Sequence, residues 1–284
     1  MTHALKHAKQ GNIDIRNLSI HLQQGKQMFE ALHNVTLSVS PGEFVCLLGP
    51  SGCGKSTLLG TLAGHLQPTR GSITVDGQTL NGPHPERGLV FQQHTLFPWK
   101  KVIDNVAFGL KMKGVPKQQR QDKARELLAL VGLAGFEQHY PAQLSGGMQQ
   151  RVEIARVLIN DPRVMLMDEP FGALDAQTRM MMQQLLLDVW DRVNTTILFI
   201  THDIDEALFL ADRIIVMSPR PGRIIEEIRL DFDRPRQADL ITSDHFMQLK
   251  RHCLDLLHPQ DSAFPLRRLS PLGASPLKQS ELTS

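Results

Sequence analysis

The residues whose types and spacing most clearly predict chemistry form one segment, residues 49–57, which reads GPSGCGKST. The segment matches Gly-x-x-x-x-Gly-Lys-Ser, the pattern of a loop that binds a nucleoside triphosphate. Its glycines let backbone N–H groups approach phosphate oxygens without an intervening Cβ. Lys55 supplies a cation for the β- and γ-phosphates, and the Ser56 hydroxyl is a ligand for Mg²⁺. The predicted nucleotide contacts are Gly49, Pro50, Ser51, Gly52, Cys53, Gly54, Lys55, Ser56 and Thr57.

Two acidic residues, Asp168 and Glu169, follow the apolar run 164–167. Such a run is typical of a buried strand in a parallel sheet, and a carboxylate at its carboxyl end can lie beside a phosphate loop. Asp168 can then hold Mg²⁺ directly or through water. Glu169 is placed to orient or deprotonate an attacking water. The pair predicts hydrolysis of the nucleotide; the alternative is that the two acids only cap a loop.

A third segment, residues 144–156, combines a helix cap with two glycines. Ser145 is a good N-cap, and Gly146 and Gly147 allow a ligand to approach the backbone where the helix begins. This describes a second phosphate-binding helix terminus in the same chain. Taken alone, the segment would fit an ordinary capped helix better.

Together with three shorter motifs, these segments resemble those of the ATP-binding subunits of ATP-binding-cassette (ABC) transporters, in family order. The resemblance covers roughly residues 12–235. The segment 49–57 resembles the Walker A loop, Ser145, Gly146 and Gly147 the signature motif, and Asp168 and Glu169 the Walker B aspartate and the catalytic glutamate. The shorter motifs are the Q-loop glutamine Gln92, the D-loop 173–175 and the switch histidine His202.

The resemblance implies that two copies of the chain act together. ATP and Mg²⁺ would bind between the subunits of a head-to-tail dimer, and the signature of one subunit would close on the γ-phosphate held by the other. The catalytic residues would be Lys55, Glu169 and His202, and the metal ligands would be Ser56, Gln92 and Asp168. Without the family context, Gln92 and His202 would be interpreted as ordinary surface side chains.

Two positions depart from the family pattern. Met148 stands in the signature where many relatives have Gln, and its side chain cannot donate a hydrogen bond, although Gln149 follows. The family usually stacks an aromatic ring on adenine before the first long strand, and the only tyrosine, Tyr140, is far from that position. His21 and Phe29 are the two candidates for this adenine contact.

The elements that must position these residues alternate between strand and helix. Apolar or alternating runs predict strands at 13–16, 35–39, 43–48, 71–77, 164–167 and 196–200. Helical spacing predicts helices at 56–63, 117–131, 145–159 and 177–193. With the resemblance, this order implies an α/β fold: a P-loop NTPase (RecA-like) core with a mainly parallel sheet, an N-terminal antiparallel β subdomain and an inserted α-helical signature subdomain.

The predicted divisions of the chain are an N-terminal segment (1–11), an ATP-binding domain (12–235, with the helical insertion at about 97–160) and a C-terminal extension (236–284). The composition of the last ~20 residues, rich in Ser, Pro and Leu, predicts disorder there. Met180, Met181 and Met182 are expected to pack in the core rather than to form a binding face. Residues 97–99 (Phe-Pro-Trp) predict either a core aromatic wedge or an exposed groove for a helix of a membrane subunit.

Composition limits the possible partners and compartments. Among 284 residues, 41% are hydrophobic and 21% charged, which is typical of a globular protein. The net charge of +2 gives no general attraction to nucleic acid. We see no apolar run of the roughly 18 residues that span a bilayer, and no apolar segment typical of a secretory signal. Three unpatterned cysteines favour a reducing cytosol. Any membrane role is therefore expected to be peripheral, and the resemblance to ABC transporter subunits implies the cytoplasmic face of the cell (inner) membrane.

Weaker resemblances concern the type of transporter. Residues 94–99 and 102–106 resemble importer ATPases, and residues 218–227 with 233–236 are similar to the nitrate, sulfonate and taurine importer group. The expected partners are a second copy of the chain, transmembrane permease subunits and, indirectly, a solute-binding protein. The alternatives are a non-transport ABC ATPase of the DNA-repair or translation type, and an ABC exporter ATPase. A GTPase is disfavoured because the chain has no Asn-Lys-x-Asp run for guanine.

Overall fold

The strands form two separate sheets within the residues that the computed structural model describes, which are 10–25, 27–93 and 95–258. In chain order they are Ile13–Gln24 (β1), Gln27–Val39 (β2), Phe44–Leu48 (β3), Arg70–Val75 (β4), Gln78–Thr79 (β5), Arg87–Val90 (β6), Val164–Asp168 (β7), Thr196–Thr201 (β8), Arg213–Met217 (β9) and Ile224–Arg229 (β10). The first sheet is antiparallel, with the order β2-β1-β4-β5. The second has the order β10-β9-β3-β8-β7-β6, and all its pairs are parallel except β10 with β9.

The helices divide between the parallel sheet and a helical subdomain. They are Lys55–Ala63 (α1), Val102–Val106 (α2), Phe108–Met112 (α3), Lys117–Leu130 (α4), Gly146–Leu158 (α5), Ala176–Val193 (α6), Ile204–Leu210 (α7) and Asp244–Leu257 (α8). Helices α2 to α5 all lie between β6 and β7 in the chain, so they form the predicted helical insertion. The predicted fold class is confirmed: a mainly parallel core sheet, an N-terminal antiparallel sheet and an inserted group of helices.

Strand β3, which leads into the phosphate loop, is buried along its whole length. Its side chains alternate between two cores because successive residues of a strand face opposite sides of the sheet. Val45 and Leu47 pack in the core that contains the antiparallel sheet and α1, whereas Phe44, Cys46 and Leu48 pack in the core shared with the inserted helices. The phosphate loop therefore starts from a strand that is fixed on both faces.

The prediction that the three consecutive methionines pack in the core is wrong for two of them. Met182 is fully buried, but Met180 is 45% exposed and Met181 is 49% exposed. Successive residues of a helix are about 100° apart around its axis, so three in a row cannot share one buried face. Helix α6 buries Met182 with Leu186 on its inner side and leaves the other two methionines in solvent.

Helix α8 lies in the C-terminal extension, where the sequence pattern predicted no element. Its residues Phe246 and Cys253 are fully buried and belong to the core shared with the inserted helices. Lys250 Nζ lies 2.7 Å from Asp205 Oδ2 and ties α8 to α7. The predicted domain boundaries stay predictions, and the predicted disorder at the C-terminus lies outside the described residues, as do residues 1–9. Among the described residues, we find no helix long and apolar enough to cross a membrane.

Candidate functional site

The phosphate loop connects the buried strand β3 to helix α1 and requires glycine at the position immediately before the helix. Gly54 has φ of +103° and caps the helix. A Cβ on this residue would lie 2.6 Å from Cδ2 of Leu32 and 2.9 Å from the carbonyl oxygen of Ala31. Both the backbone conformation and the close approach of β2 exclude other residues here. The loop is thus held tightly against the antiparallel sheet, with its N–H groups gathered at the start of α1.

The ammonium group of Lys55 lies inside this loop. Its Nζ donates to the carbonyl oxygen of Gly49 at 2.7 Å and to that of Pro50 at 3.1 Å, and the side chain is only 5% exposed. The lysine is therefore fixed within the curl of the phosphate loop. A triphosphate at the loop would offer charged acceptors, which bind an ammonium more strongly than carbonyl groups do.

Two oxygen donors from distant parts of the chain meet beside the loop. Ser56 Oγ donates to Asp168 Oδ1 at 3.2 Å, although the two residues are 112 positions apart. Burial raises the pKa of Asp168, and the nearby Glu169 adds to this shift, while the Ser56 hydrogen bond and Lys55 oppose it. Mg²⁺ prefers oxygen ligands such as a hydroxyl and a carboxylate. A bound cation also stabilises the ionised form of a carboxyl group whose pKa is raised by burial. The residues present therefore fit a magnesium ion.

Glu169 and His202 meet at the same edge of the parallel sheet. His202 Nδ1 lies 3.0 Å from Glu169 Oε2. Glu169 has φ of +45°, unusual for a non-glycine residue, and its N–H donates to the carbonyl oxygen of Ile200 at 3.0 Å. His202 immediately follows β8, and Asp203 after it caps α7 by accepting from the N–H of Asp205. The neighbouring strands β7 and β8 thus deliver an acid and an imidazole to one point.

Gln92 and the D-loop lie near this acid. Gln92 is exposed, and its Nε2 lies 3.5 Å from the position that a Cβ of Gly172 would occupy. Asp175 caps α6 by accepting from the N–H of Thr178 at 3.0 Å, and this backbone hydrogen bond lowers its pKa. The structure therefore brings Gln92 close to the loop that follows Glu169, on the side of the D-loop.

The signature residues stand apart from the phosphate loop of their own chain. Ser145 caps α5, as predicted, by accepting from the N–H of Met148 at 3.3 Å. Ser145 and Gly146 are exposed, whereas Gly147 is buried, and a Cβ on Gly147 would lie 2.7 Å from Cγ2 of Thr178. Among the described residues, the pocket at the phosphate loop is lined by Leu22, Phe29, Ala31, Ser51, Gly52, Gly54, Lys55, Ser56, Thr57, Glu169 and Arg220. None of the three signature residues belongs to this lining.

The two departures from the family pattern have structural explanations. Met148 is partly buried and packs against the core of the helical subdomain, so it contributes packing where many relatives have Gln. The following Gln149 donates its Nε2 to the carbonyl oxygens of Pro141 and Leu144, at 3.1 and 3.2 Å. The amide of Gln149 therefore fixes the segment that leads into the signature.

One of the two candidates for the adenine contact lines the pocket. Phe29 does so and His21 does not. Leu22 faces Phe29 across the pairing of β1 with β2, and Arg220 places its guanidinium carbon 4.5 Å from the centre of the Phe29 ring. The sequence analysis missed Leu22 and Arg220 as pocket residues. The strand pairing that brings Leu22 opposite Phe29 is a tertiary property, while Arg220 lay in a segment used only as a mark of the importer group.

Of the two aromatic residues in the segment 97–99, one is packed against the protein and the other is exposed to solvent. Phe97 packs on Phe108, with ring centres 4.7 Å apart, while Trp99 is 71% exposed. Behind them, the N–H of Thr95 donates to Glu153 of α5 at 2.5 Å, and Arg156 Nη1 donates to the Thr95 carbonyl oxygen at 2.8 Å. Phe97 is therefore a packed, partly buried ring and Trp99 an exposed one, and the groove for a helix of a membrane subunit stays a prediction.

Comparisons with known proteins agree with this geometry. Residues 32–172 match the ABC transporter family. The chain is 48% identical over 245 residues to an uncharacterized ABC transporter ATP-binding protein of Methanocaldococcus jannaschii, covering 86% of this chain and 91% of that protein. It is 51% identical over 228 residues to the taurine import ATP-binding protein TauB of Pseudomonas entomophila, covering 78% of this chain and 88% of that protein.

A solved structure provides a comparison of the fold. It is the dimeric post-hydrolysis state of the ATP-binding cassette MJ0796 bound to ADP and Pi, with a TM-score of 0.68 and 35% identity, covering 78% of this chain and 100% of that chain. The chain is about 50% identical to two relatives over most of their length, and it shares the family match and the fold of this cassette. These similarities assign it to a family. This chain belongs to the ABC transporter family and is an ATP-binding subunit that couples ATP hydrolysis to transport.

Proposed function

We propose that the chain energises an importer of small anions, with taurine, other sulfonates or nitrate as the solutes. The name of the Pseudomonas relative, a taurine import ATP-binding protein, supports the importer and the solute class. The observation that carries the catalytic assignment is the 3.2 Å contact between Ser56 Oγ and Asp168 Oδ1. It supports a metal site at the phosphate loop because two oxygen donors from distant segments meet there.

The proposed chemistry uses residues on both sides of this contact. Lys55 binds the β- and γ-phosphates, and its positive charge stabilises the charge that develops during phosphoryl transfer. Glu169 orients or deprotonates the attacking water. The 3.0 Å contact with His202 holds the Glu169 carboxylate in one orientation and leaves the imidazole available to the γ-phosphate. Ser56 and Asp168 would hold Mg²⁺, with Gln92 as a third ligand, and the bound ion would supply positive charge next to the phosphoryl group.

A second copy of the chain completes this proposed site. Ser145 and Gly146 are exposed and lie outside the nucleotide pocket of their own chain. In a head-to-tail dimer, the N-terminus of helix α5 of one subunit would face the γ-phosphate bound by the other, where backbone N–H groups favour an anion. ATP would then join the two subunits, and its hydrolysis would release them.

The exposed Trp99 supports a partner in the membrane. A tryptophan that is 71% exposed next to the packed Phe97 gives a large apolar contact surface. Hydrogen bonds of Thr95 connect this surface to α5, which begins at the signature. We propose that permease subunits bind here, that the complex lies at the cytoplasmic face of the cell membrane, and that a solute-binding protein delivers the anion to the permease.

Uptake measurements in cells test the proposal. Deleting the gene for this chain should abolish uptake of radiolabelled taurine, and the wild-type gene should restore it. A Lys55→Ala gene should not restore uptake, because the loop loses the cation that binds the phosphates. Lys117→Ala, which removes the same charge from an exposed position on α4, serves as the matched control and should restore uptake fully.

Other results would change the assignment. Loss of nitrate or alkanesulfonate uptake, with taurine uptake intact, would keep the importer and change its solute. A change in efflux without any change in uptake would favour an exporter. If none of these fluxes depends on Lys55 while the purified chain hydrolyses ATP, a non-transport ABC ATPase becomes the better interpretation.

A further inference from the structure

Arg220 lines the nucleotide pocket on the side of the β1–β2 hairpin. Its guanidinium carbon lies 4.5 Å from the centre of the Phe29 ring, and its Nε donates to the carbonyl oxygen of Gly52 at 3.4 Å. The guanidinium is therefore hydrogen-bonded to the phosphate loop and lies within cation–π distance of an aromatic ring. These contacts join the loop between β9 and β10 to both walls of the pocket.

The loop that carries Arg220 is fixed against the phosphate loop. Gly222 donates its N–H to the carbonyl oxygen of Ala31 and accepts from the N–H of His33, both at 2.9 Å. A Cβ on Gly222 would lie 1.9 Å from the carbonyl oxygen of Cys53, so only glycine fits at this position. The side-chain oxygen of Ser218 closes the loop by accepting from the N–H of Arg223 at 3.0 Å. The position of Arg220 thus follows from the tight packing of its own loop.

The surroundings of the guanidinium match a base better than a phosphate. Lys55 already places a cation within the phosphate loop. Arg220 instead contacts the Phe29 ring and the carbonyl oxygen of Gly52, and the apolar residues Leu22 and Ala31 line the same pocket. None of these groups donates a hydrogen bond from its side chain to an anion. A guanidinium plane stacks on the π face of aromatic rings, including those of nucleobases. The guanidinium carbon lies 4.5 Å from the centre of the Phe29 ring and the residue lines the pocket, so the guanidinium is placed to meet a second flat ring there.

We propose that Arg220 provides the surface on which the base of the bound nucleotide stacks, with Phe29 supporting the guanidinium from behind. The aromatic ring then acts through the arginine. This assigns to the segment 218–223 a direct part in nucleotide binding. In this arrangement Phe29 lies behind the guanidinium and Leu22 is not aromatic, so Arg220 supplies the flat surface that the β1–β2 hairpin does not offer to the base.

Binding measurements on the full-length protein separate base contact from phosphate contact. Isothermal titration calorimetry would measure Mg-ATP and inorganic tripolyphosphate on the wild type, on Arg220→Gln and on Arg223→Gln. Arg223 is exposed on the same loop and outside the pocket lining, so its variant is the charge-matched control. We expect Arg220→Gln to weaken ATP binding about fivefold and to leave tripolyphosphate binding unchanged, because stacking on the base is the contact with the ligand that is lost. Arg223→Gln should bind both ligands like the wild type.

Two further variants keep the proposal falsifiable. Arg220→Lys retains the charge without the flat plane and should lose ATP affinity nearly as much as Arg220→Gln. Phe29→Leu should weaken ATP binding in the same selective way, because the guanidinium loses its support. Equal losses for ATP and tripolyphosphate would make Arg220 a phosphate ligand and overturn the proposal. Unchanged ATP binding in Arg220→Lys, with a melting curve like that of the wild type, would overturn it as well.

Discussion

At the scale of the residue, the burial of Asp168 beside the phosphate loop lowers the stability of the folded protein at neutral pH. Burial raises the pKa of this carboxyl, so its protonated form is the favoured one in the folded chain. Such a group contributes stability below the ordinary pKa of aspartate, and this contribution is lost as the pH rises through the raised value. At neutral pH the ionised carboxylate therefore destabilises the protein. A magnesium ion would compensate for this cost, which links the instability of the residue to its proposed role.

Replacing Asp168 by Asn should therefore stabilise the protein when no metal is present. Asn keeps an oxygen that can accept from Ser56 and removes the buried charge. At pH 7 in EDTA we expect the melting temperature of Asp168→Asn to exceed that of the wild type by about 2 °C. With Mg-ATP the order should reverse, because the wild type alone retains the carboxylate that holds the metal. A variant that is less stable than the wild type in EDTA would show that the carboxylate has a structural role.

At the scale of the element, Gly147 lies at the packing contact between helices α5 and α6, in addition to its predicted role in nucleotide binding. It is buried, and the methyl group of Thr178 on α6 occupies the space that a side chain at position 147 would need. Gly146, one residue earlier, is exposed. The two glycines of the signature are thus expected to differ: the second sets how closely α5 approaches α6, and the first is available to a phosphate.

Substitution by alanine should separate these two roles. Gly147→Ala is expected to lower the free energy of unfolding by about 1–2 kcal/mol, because its Cβ overlaps the methyl group of Thr178. Thr178→Ser, which removes that methyl group, should restore most of the loss in the double variant. Gly146→Ala should change the free energy by less than about 0.5 kcal/mol. Urea denaturation would measure the free energy of unfolding of the two glycine variants, of Thr178→Ser and of the double variant. A Gly147→Ala protein as stable as the wild type would contradict the packing role.

At the scale of the whole molecule, the site is divided between two surfaces of one chain. The phosphate loop lies where β3 meets α1, and the signature begins α5 in the helical subdomain, outside the lining of that pocket. The similar cassette of known structure is a dimer with ADP and Pi. A head-to-tail arrangement of this chain would complete both sites at once, each with one phosphate loop and one signature.

Mixed dimers would test this arrangement. All subunits carry Glu169→Gln, which should slow hydrolysis at least about a hundredfold and let ATP accumulate. One preparation adds Lys55→Ala and the other adds Gly146→Asp, which places a carboxylate against the phosphates. In a mixed dimer one site then carries both lesions and the other carries neither. Radiolabelled ATP should elute with a dimer on gel filtration only from the mixture.

The opposite result would be equally informative. If Gly146→Asp alone abolishes ATP binding by the monomer, and no mixture retains ATP, the signature acts within its own chain. Retention of ATP by the Gly146→Asp homodimer would show that this glycine does not face the phosphates at all. The first outcome would exclude the head-to-tail site, and the second would remove Gly146 from it.

The sequence was most informative where the chemistry is contiguous. The phosphate loop, the Ser145 cap and the two acids at the end of β7 depend on neighbours in the chain. Spacing and residue type therefore predicted them correctly as local structures. The period of the apolar runs likewise predicted the strands that are buried on both faces. Prediction failed where a face had to be chosen, as for Met180 and Met181, because helical periodicity gives a buried stripe without saying where it ends.

Tertiary structure decided what depends on segments that are distant in the chain. The contacts of Ser56 with Asp168, of Arg220 with Phe29 and of Gly147 with Thr178 join such segments, and none has a local pattern that specifies its partner. Helix α8 was not predicted although Phe246, Leu249 and Cys253 recur at helical spacing, and only the fold shows that the helix is fixed by burying Phe246 and Cys253 in a core built by other elements. The sequence by itself determined that this chain binds and hydrolyses a nucleotide, because each reactive group lies within a short contiguous motif. Only folding determined which groups share the pocket, because the strand order and the helix packing bring them there.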